Sequence, residues 1–136
     1  MDGGGIMKEI TVISKNEMGA LAAIAESLGS VGVNIEAVSA YEKDNKAIFR
    51  LITNDVTTTM KTLSRIPDLH IKEANVIVLK MPNRPGELGK ITRKLANKAV
   101  SVESVYIVTR GTDYTEVALK PAEQDFEKAK QVLGVK

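Results

Sequence analysis

The chain contains 136 residues, of which 43% are apolar and 26% are charged, a balance typical of a folded globular protein rather than a disordered or fibrous one. Its 19 Lys and Arg residues are interspersed with 17 Asp and Glu residues, so the sequence shows no electrostatic footprint for nucleic acid or a membrane surface. Cysteine is absent and His70 is the one histidine, which excludes disulfides, a Cys nucleophile and His-pair metal sites. We therefore expect no metal and no cofactor.

The segment MDGGGIM occupies residues 1–7. No predicted strand precedes its glycines, so we interpret residues 1–6 as a flexible leader rather than a phosphate-binding loop, with the folded part beginning near Met7. The segment has neither a cationic n-region nor an apolar h-region, and no apolar run in the sequence approaches the roughly 18 residues of a membrane span. We expect a cytoplasmic protein.

The sequence repeats itself at an offset of 67 residues. Residues 10–38 align with residues 77–105, and nine of these 29 positions are identical. The identical pairs are Ile10/Ile77, Asn16/Asn83, Gly19/Gly86, Leu21/Leu88, Ile24/Ile91, Leu28/Leu95, Val33/Val100, Glu36/Glu103 and Val38/Val105. A repeat of this period predicts one small domain present twice, over residues 7–75 and 76–136.

Both copies show the same order of periodicities, with β-branched runs and alternation of period two for strands and an apolar stripe of period 3.6 for helices. The predicted strands are residues 8–14, 33–38, 47–53, 69–74, 76–81, 100–105 and 114–120. The predicted helices follow Gly19, Asp55, Gly86 and Pro121. The second copy stops at Lys136 before a fourth strand of its own, and an open sheet edge there would invite pairing with another chain.

This element order predicts an α+β protein of two tandem ferredoxin-like βαββαβ units, each with an antiparallel sheet and its helices on one face. The fold alone does not identify a function. An RNA-binding version would carry stacking aromatic residues on its strands, whereas aromatic residues make up only 4% of this sequence. A copper-chaperone version would need cysteine, which is absent.

The most distinctive residues lie at two strand-to-helix junctions. The first junction, residues 15–21, contains Asn-Glu-Met-Gly-Ala-Leu, and the second junction, residues 82–88, contains Asn-Arg-Pro-Gly-Glu-Leu. Together with Gly-Val-Asn-Ile at residues 32–35, these motifs resemble the ACT family, the small-molecule-binding regulatory modules of amino-acid metabolism. The resemblance covers about residues 7–133 as a tandem pair.

The resemblance implies a stand-alone regulatory module rather than an enzyme. Such a module would bind a free amino acid and act through oligomeric interfaces, as a homodimer and in contact with a regulated enzyme. ACT domains that bind serine hold it across a domain interface, with an Asn before the Pro-Gly turn and a second Asn at the start of the second strand. The implied ligand-binding residues are Asn16, Gly19, Ala20, Leu21 and Asn34 in the first copy and Asn83, Pro85, Gly86, Glu87, Leu88 and Ser101 in the second.

The sequence departs from this pattern in both copies. Met18 stands where the family favours proline, Ser101 replaces the second Asn, and Pro82 directly precedes Asn83. The first copy therefore keeps both amides and the second keeps the better turn. A composite site and a single working site are both compatible with these departures.

Two interpretations of the junctions stay open. In the structural one, Asn83 begins a turn, Pro85 restricts φ and Gly86 lets the chain enter the helix. In the functional one, the unpaired N–H groups and partial positive charge of the helix start bind a ligand carboxylate. The corresponding alternative function is an oligomerisation or protein-interaction module that binds no ligand. The sequence shows no nucleophile with a base and an orienting group, which disfavours an enzyme.

Overall fold

The computed structural model describes residues 4–136. In this part of the chain there are six strands and four α-helices. The strands are β1 (Gly4–Lys15), β2 (Ile35–Lys43), β3 (Lys46–Thr53), β4 (His70–Pro82), β5 (Val102–Arg110) and β6 (Tyr114–Pro121). The helices are α1 (Ala20–Ser30), α2 (Val56–Ser64), α3 (Glu87–Asn97) and α4 (Phe126–Leu133), the last preceded by a 3₁₀ turn at Glu123–Asp125. Among the helices of this described part, none has the length and apolarity needed to span a membrane.

The predicted helix starts after Gly19 and Gly86 are confirmed. Both glycines have left-handed backbone angles, with φ values of +85° and +88°. A Cβ built at either position would meet no described atom within 4 Å, so the backbone angle and not a lack of space favours glycine there. The two junctions thus enter their helices through the same sharp turn.

The first unit comprises residues 8–74. Its strands follow the order β2-β3-β1-β4, with β3 antiparallel to both β2 and β1. Alternate residues of β1 and β3 point to one face of the sheet. There they pack against the apolar stripes of α1 and α2 and form one core. Its buried members are Ile10, Val12, Ile24, Leu28, Val33, Ala47, Phe49, Leu51 and Leu63.

The second unit comprises residues 75–136 together with residues 4–7. Its strands follow the order β1-β4-β6-β5, with β6 antiparallel to both β4 and β5. The buried core consists of Ile77, Leu79, Met81, Ile91, Leu95, Val100, Val117, Leu119, Ala129, Leu133 and Val135, and Ile6 packs against it. The predicted α+β class with ferredoxin-like βαββαβ units is confirmed.

The prediction of a flexible leader over residues 1–6 is wrong for residues 4–6, which lie in β1; residues 1–3 fall outside the described part. A Cβ on Gly4 would come within 2.9 Å of Val135 Cγ2 and 3.3 Å of the Val78 carbonyl oxygen. The lack of a side chain at Gly4 therefore lets the backbone of β1 lie close to β4 and to Val135, which belong to the same unit. The low β-propensity of glycine hid this strand in the sequence.

The residues of the second copy end with α4 and supply no fourth strand of their own, as the sequence predicts. Residues 4–7 belong to the second unit and lie at the β4 side of its sheet, where that strand was expected. A further correction concerns β4, which runs without interruption from His70 to Pro82 instead of forming two strands over 69–74 and 76–81.

Candidate functional site

The first junction is a tight turn between β1 and α1. The Glu17 N–H donates to the Lys15 carbonyl oxygen at 2.9 Å, and the Ala20 N–H donates to the Glu17 carbonyl oxygen at 3.3 Å. The Ala23 N–H then donates to the Gly19 carbonyl oxygen at 3.0 Å, which begins the helix. Met18, at the tip of this turn, is fully exposed.

The side chain of Asn16 links this turn to the β2–β3 hairpin. Its Nδ2 donates a hydrogen bond to Oε2 of Glu42, two residues before the hairpin turn at Asp44. Both residues are exposed, so a carboxylate and an amide face solvent beside the start of α1. Glu42 carries no local signal in the sequence, because its contact with Asn16 spans 26 residues and depends on the folded sheet.

Helix α1 begins without compensation for its partial positive charge. Of the side chains that the structure describes, none caps its N-terminus, and its first turn contains no acidic residue. The first N–H groups of an α-helix have no intrahelical acceptor and carry positive charge. The first N–H groups of α1 thus find no acceptor among the described side chains of this turn, and they can donate to an external carboxylate.

The second junction repeats the backbone of the first. The Glu87 N–H donates to the Arg84 carbonyl oxygen at 3.4 Å, and the Lys90 N–H donates to the Gly86 carbonyl oxygen at 3.1 Å, which are the same bonds at an offset of 67. The role of the asparagine differs, however. Asn83 donates from its N–H to the Asp113 carbonyl oxygen at 3.0 Å and from Nδ2 to the Gly111 carbonyl oxygen at 2.8 Å, so it anchors the β5–β6 turn.

The electrostatics of the second junction are dominated by Glu87. Its Oε2 accepts hydrogen bonds from Lys90 Nζ at 2.9 Å and from Arg84 Nε at 3.0 Å. These two cations, Lys90 first and Arg84 second, hold the pKa of the Glu87 carboxyl below its ordinary value. The spacing of three residues between Glu87 and each cation is a local sequence signal for such ion pairs on a helix.

The residues at the start of the second strand of each copy use their backbones structurally. The Asn34 N–H donates to Asn54 Oδ1 at 2.9 Å, and the Asn54 N–H returns a bond to the Asn34 carbonyl oxygen at 3.2 Å. In the second unit the Ser101 N–H donates to Asp125 Oδ2 at 2.9 Å, and its carbonyl oxygen accepts from the Ala122 N–H at 2.9 Å. Both residues are exposed. Their backbone hydrogen bonds join the start of β2 to the end of β3 and the start of β5 to the end of β6.

The sheet register separates the two asparagines implied by the family pattern. Lys15, directly before Asn16, pairs with Lys46, whereas Ile35, directly after Asn34, pairs with Thr53. The two positions differ by seven residues along β3, or about 23 Å at ~3.3 Å per residue. One unit therefore does not bring Asn16 and Asn34 to the same small ligand.

The second unit shows the same separation. Pro82, directly before Asn83, pairs with Tyr114, whereas Val102, directly after Ser101, pairs with Pro121 at the other end of β6. Asn83 and Ser101 thus lie at opposite ends of their sheet. Within each unit, the residues that share an end are those of the junction and the hairpin.

Comparison with known proteins agrees with this geometry. Residues 75–134 match the family model of the ACT domain. A protein of known structure from Bacteroides thetaiotaomicron aligns with a TM-score of 0.83 and 25% identity, over 95% of this chain and 87% of that one. No curated protein matches the sequence.

Two further structures share the fold. The ligand-free regulatory subunit of aspartate kinase from Thermus thermophilus aligns with a TM-score of 0.67 and 10% identity, over 98% of this chain and 96% of that one. The aspartokinase α and β subunits align with a TM-score of 0.61 and 17% identity, over 95% and 94% of the two chains. At these identities the likeness shows a common fold. Residues 75–134 thus match the ACT domain, and the strand order of the sheet agrees with that match.

Proposed function

We propose that this protein is a regulatory module of amino-acid metabolism that binds a free amino acid at the first junction. The observation that carries this proposal is the uncapped start of α1 beside the exposed Asn16–Glu42 pair. The ACT match of residues 75–134 supports a regulatory role rather than catalysis. The corresponding regulated enzyme is part of the proposal.

The first junction suits a zwitterion. A ligand carboxylate would accept hydrogen bonds from the first N–H groups of α1 beyond Ala20, beginning with that of Leu21, where the helix charge is positive. The ligand ammonium group would then lie toward the carboxylates of Glu42 and Glu17, with the Asn16 amide between the two ends. Opposite charges a few ångströms apart are what distinguish an amino acid from a simple acid or amine.

Completion of the site requires residues from elsewhere, because Asn34 of the same unit lies about 23 Å away. We propose that a second copy of the chain supplies them in a homodimer, through Asn34 or Ser101 at the start of a second strand. Ligand binding would then be linked to assembly, since each chain would contribute half of the binding residues.

A protein-interaction module without a ligand is the second candidate. It is favoured by Asn83, whose side chain and N–H both bond to backbone carbonyl oxygens of the β5–β6 turn. If the first junction has the same structural role, Asn16 only holds the β2–β3 hairpin through Glu42. The two candidates therefore differ in what the removal of Asn16 changes.

A thermal-unfolding screen against each of the twenty amino acids tests the proposal. An amino acid at about a hundredfold over its Kd stabilises the folded state by about 2.7 kcal/mol, which raises the Tm of a small protein by several degrees. We expect one amino acid or one chemical class to do so. Asn16→Ala should abolish this rise, and Asn97→Ala, an exposed change at the end of α3, should preserve it. If no amino acid raises the Tm of the folded protein, the interaction module is the better explanation.

A further inference from the structure

The second junction already contains a carboxylate, that of Glu87. We propose that Glu87 is a built-in carboxylate that occupies Arg84 and Lys90 and thereby keeps small free carboxylates out of the second junction. Each chain would then bind ligand at the first junction only. That last consequence rests on the proposed function, whereas the exclusion at the second junction does not.

The burial of the Glu87 side chain beneath two exposed cations supports this role. The Glu87 side chain is only 11% exposed, while the side chains of Arg84 and Lys90 are 63% and 66% exposed. Two exposed cations thus donate to a single carboxylate oxygen of a largely buried acid. Charge-assisted hydrogen bonds of this kind are stronger than those between neutral groups.

Glu87 also competes well with dissolved acids for Arg84 and Lys90, because it belongs to the same chain as these two cations. It lies on the first turn of α3 with Lys90 one helical turn further on, so it meets its partners without any loss of translational freedom. A free carboxylate would have to displace it, or else bring a second negative charge beside it. Its negative charge also compensates the positive helix start.

The first junction differs at the same three positions. The residues equivalent to Arg84, Glu87 and Lys90 are Glu17, Ala20 and Ala23, whereas Asn16 and Gly19 are retained as Asn83 and Gly86. The backbone is therefore shared and the internal acid is not. Because α1 forms with alanine at this position, α3 is expected to form with alanine as well.

Acetate binding to the variant Glu87→Ala tests the exclusion. The probe is ¹³C-labelled sodium acetate, titrated at constant ionic strength against sodium chloride, with NMR signals of Arg84 Nε–H and of the Lys90 side chain as reporters. We expect saturable binding that moves both signals and raises the Tm of the variant above its value in chloride. Wild-type protein should show neither effect.

Glu127→Ala is the matched control, since Glu127 is a first-turn acid of α4 three residues before Lys130, but its side chain is 80% exposed and the pair is 3.6 Å apart. It should not acquire acetate binding.

If Glu87→Ala does not fold, Glu87→Gln replaces it, and acetate should displace the neutral amide at lower concentration than in wild type. Absence of acetate binding to a folded Glu87 variant, or equal binding to wild type, would overturn the proposal. Neither readout involves an amino acid, so failure here is distinct from failure of the amino-acid screen.

Discussion

Nδ2 of Asn16 donates a hydrogen bond to Oε2 of Glu42, which joins the turn before α1 to the end of β2. This pair places an amide and a carboxylate at the end of the sheet where α1 begins with its N–H groups uncompensated by any described side chain. A polar pair in solvent contributes little to stability, so changes to it can test the proposed ligand site with little effect on folding.

Glu42→Gln should therefore affect binding more than folding. The change keeps a hydrogen-bond acceptor for Asn16 but removes the charge proposed to attract the ligand ammonium group. We expect the free energy of unfolding to stay within about 0.5 kcal/mol of wild type, because the site is exposed. The rise in Tm produced by the amino acid should be lost or greatly reduced. Glu36→Gln, on the same strand, is the control, and an unchanged ligand response in Glu42→Gln would contradict the zwitterion model.

A second prediction concerns the strand that completes the second unit. Gly4→Ala introduces a Cβ at 2.9 Å from Val135 Cγ2 and 3.3 Å from a backbone oxygen, and the resulting overpacking should cost about 1–3 kcal/mol in the free energy of unfolding. Gly5→Ala is the control, since no described atom lies within 4 Å of its new Cβ. Urea denaturation measures both.

The same steric argument is checked by a double variant. Val135→Ala removes the Cγ2 atom that the new Cβ would meet, so Gly4→Ala should cost less in that background than in wild type. Equal costs in the two backgrounds would show that Val135 is not the obstacle. Equal effects of Gly4→Ala and Gly5→Ala would contradict the assignment of residues 4–7 to a packed strand.

A third prediction follows from the lowered pKa of Glu87, which is due to Lys90 and Arg84. A carboxyl with a folded-state pKa below its unfolded value stabilises the protein above the unfolded pKa and loses this contribution as pH falls through the folded pKa. The difference in unfolding free energy between wild type and Glu87→Gln should therefore be largest near neutral pH and shrink from about pH 5 downward. Urea denaturation at a series of pH values measures it. A difference that is constant with pH would show that the charge of Glu87 does not contribute.

These residues also show what the sequence could and could not predict. The repeat at an offset of 67 and the glycines Gly19 and Gly86 predicted the unit fold and the helix starts, because backbone conformation and periodicity are local properties. The role of Gly4 could not be predicted, because pairing of the first strand with a distant part of the chain depends on tertiary structure. The separation of Asn16 from Asn34 likewise appears only in the register of β3.

The last prediction concerns a buried ion pair in the first unit. Arg50 donates from one terminal guanidinium nitrogen to Oε1 of Glu9 at 3.0 Å and from Nε to the Tyr41 hydroxyl at 3.0 Å. Glu9 is completely buried, so loss of the guanidinium would deprive an enclosed carboxylate of one of its partners. The Tyr41 hydroxyl and Glu9 together outweigh burial and raise the pKa of Arg50, which therefore stays charged.

Arg50→Met should accordingly destabilise the protein by about 3 kcal/mol, the lower end of the range for breaking a buried pair, because Arg50 itself is partly exposed. Tyr41→Phe removes only an exposed hydrogen bond and should cost about 0.5 kcal/mol. The double variant Glu9→Gln with Arg50→Met should be less destabilised than the sum of the single changes, since the carboxylate that the single variant leaves buried is then neutral. Additive costs in urea denaturation would show that Glu9 and Arg50 do not interact energetically, whatever their distance.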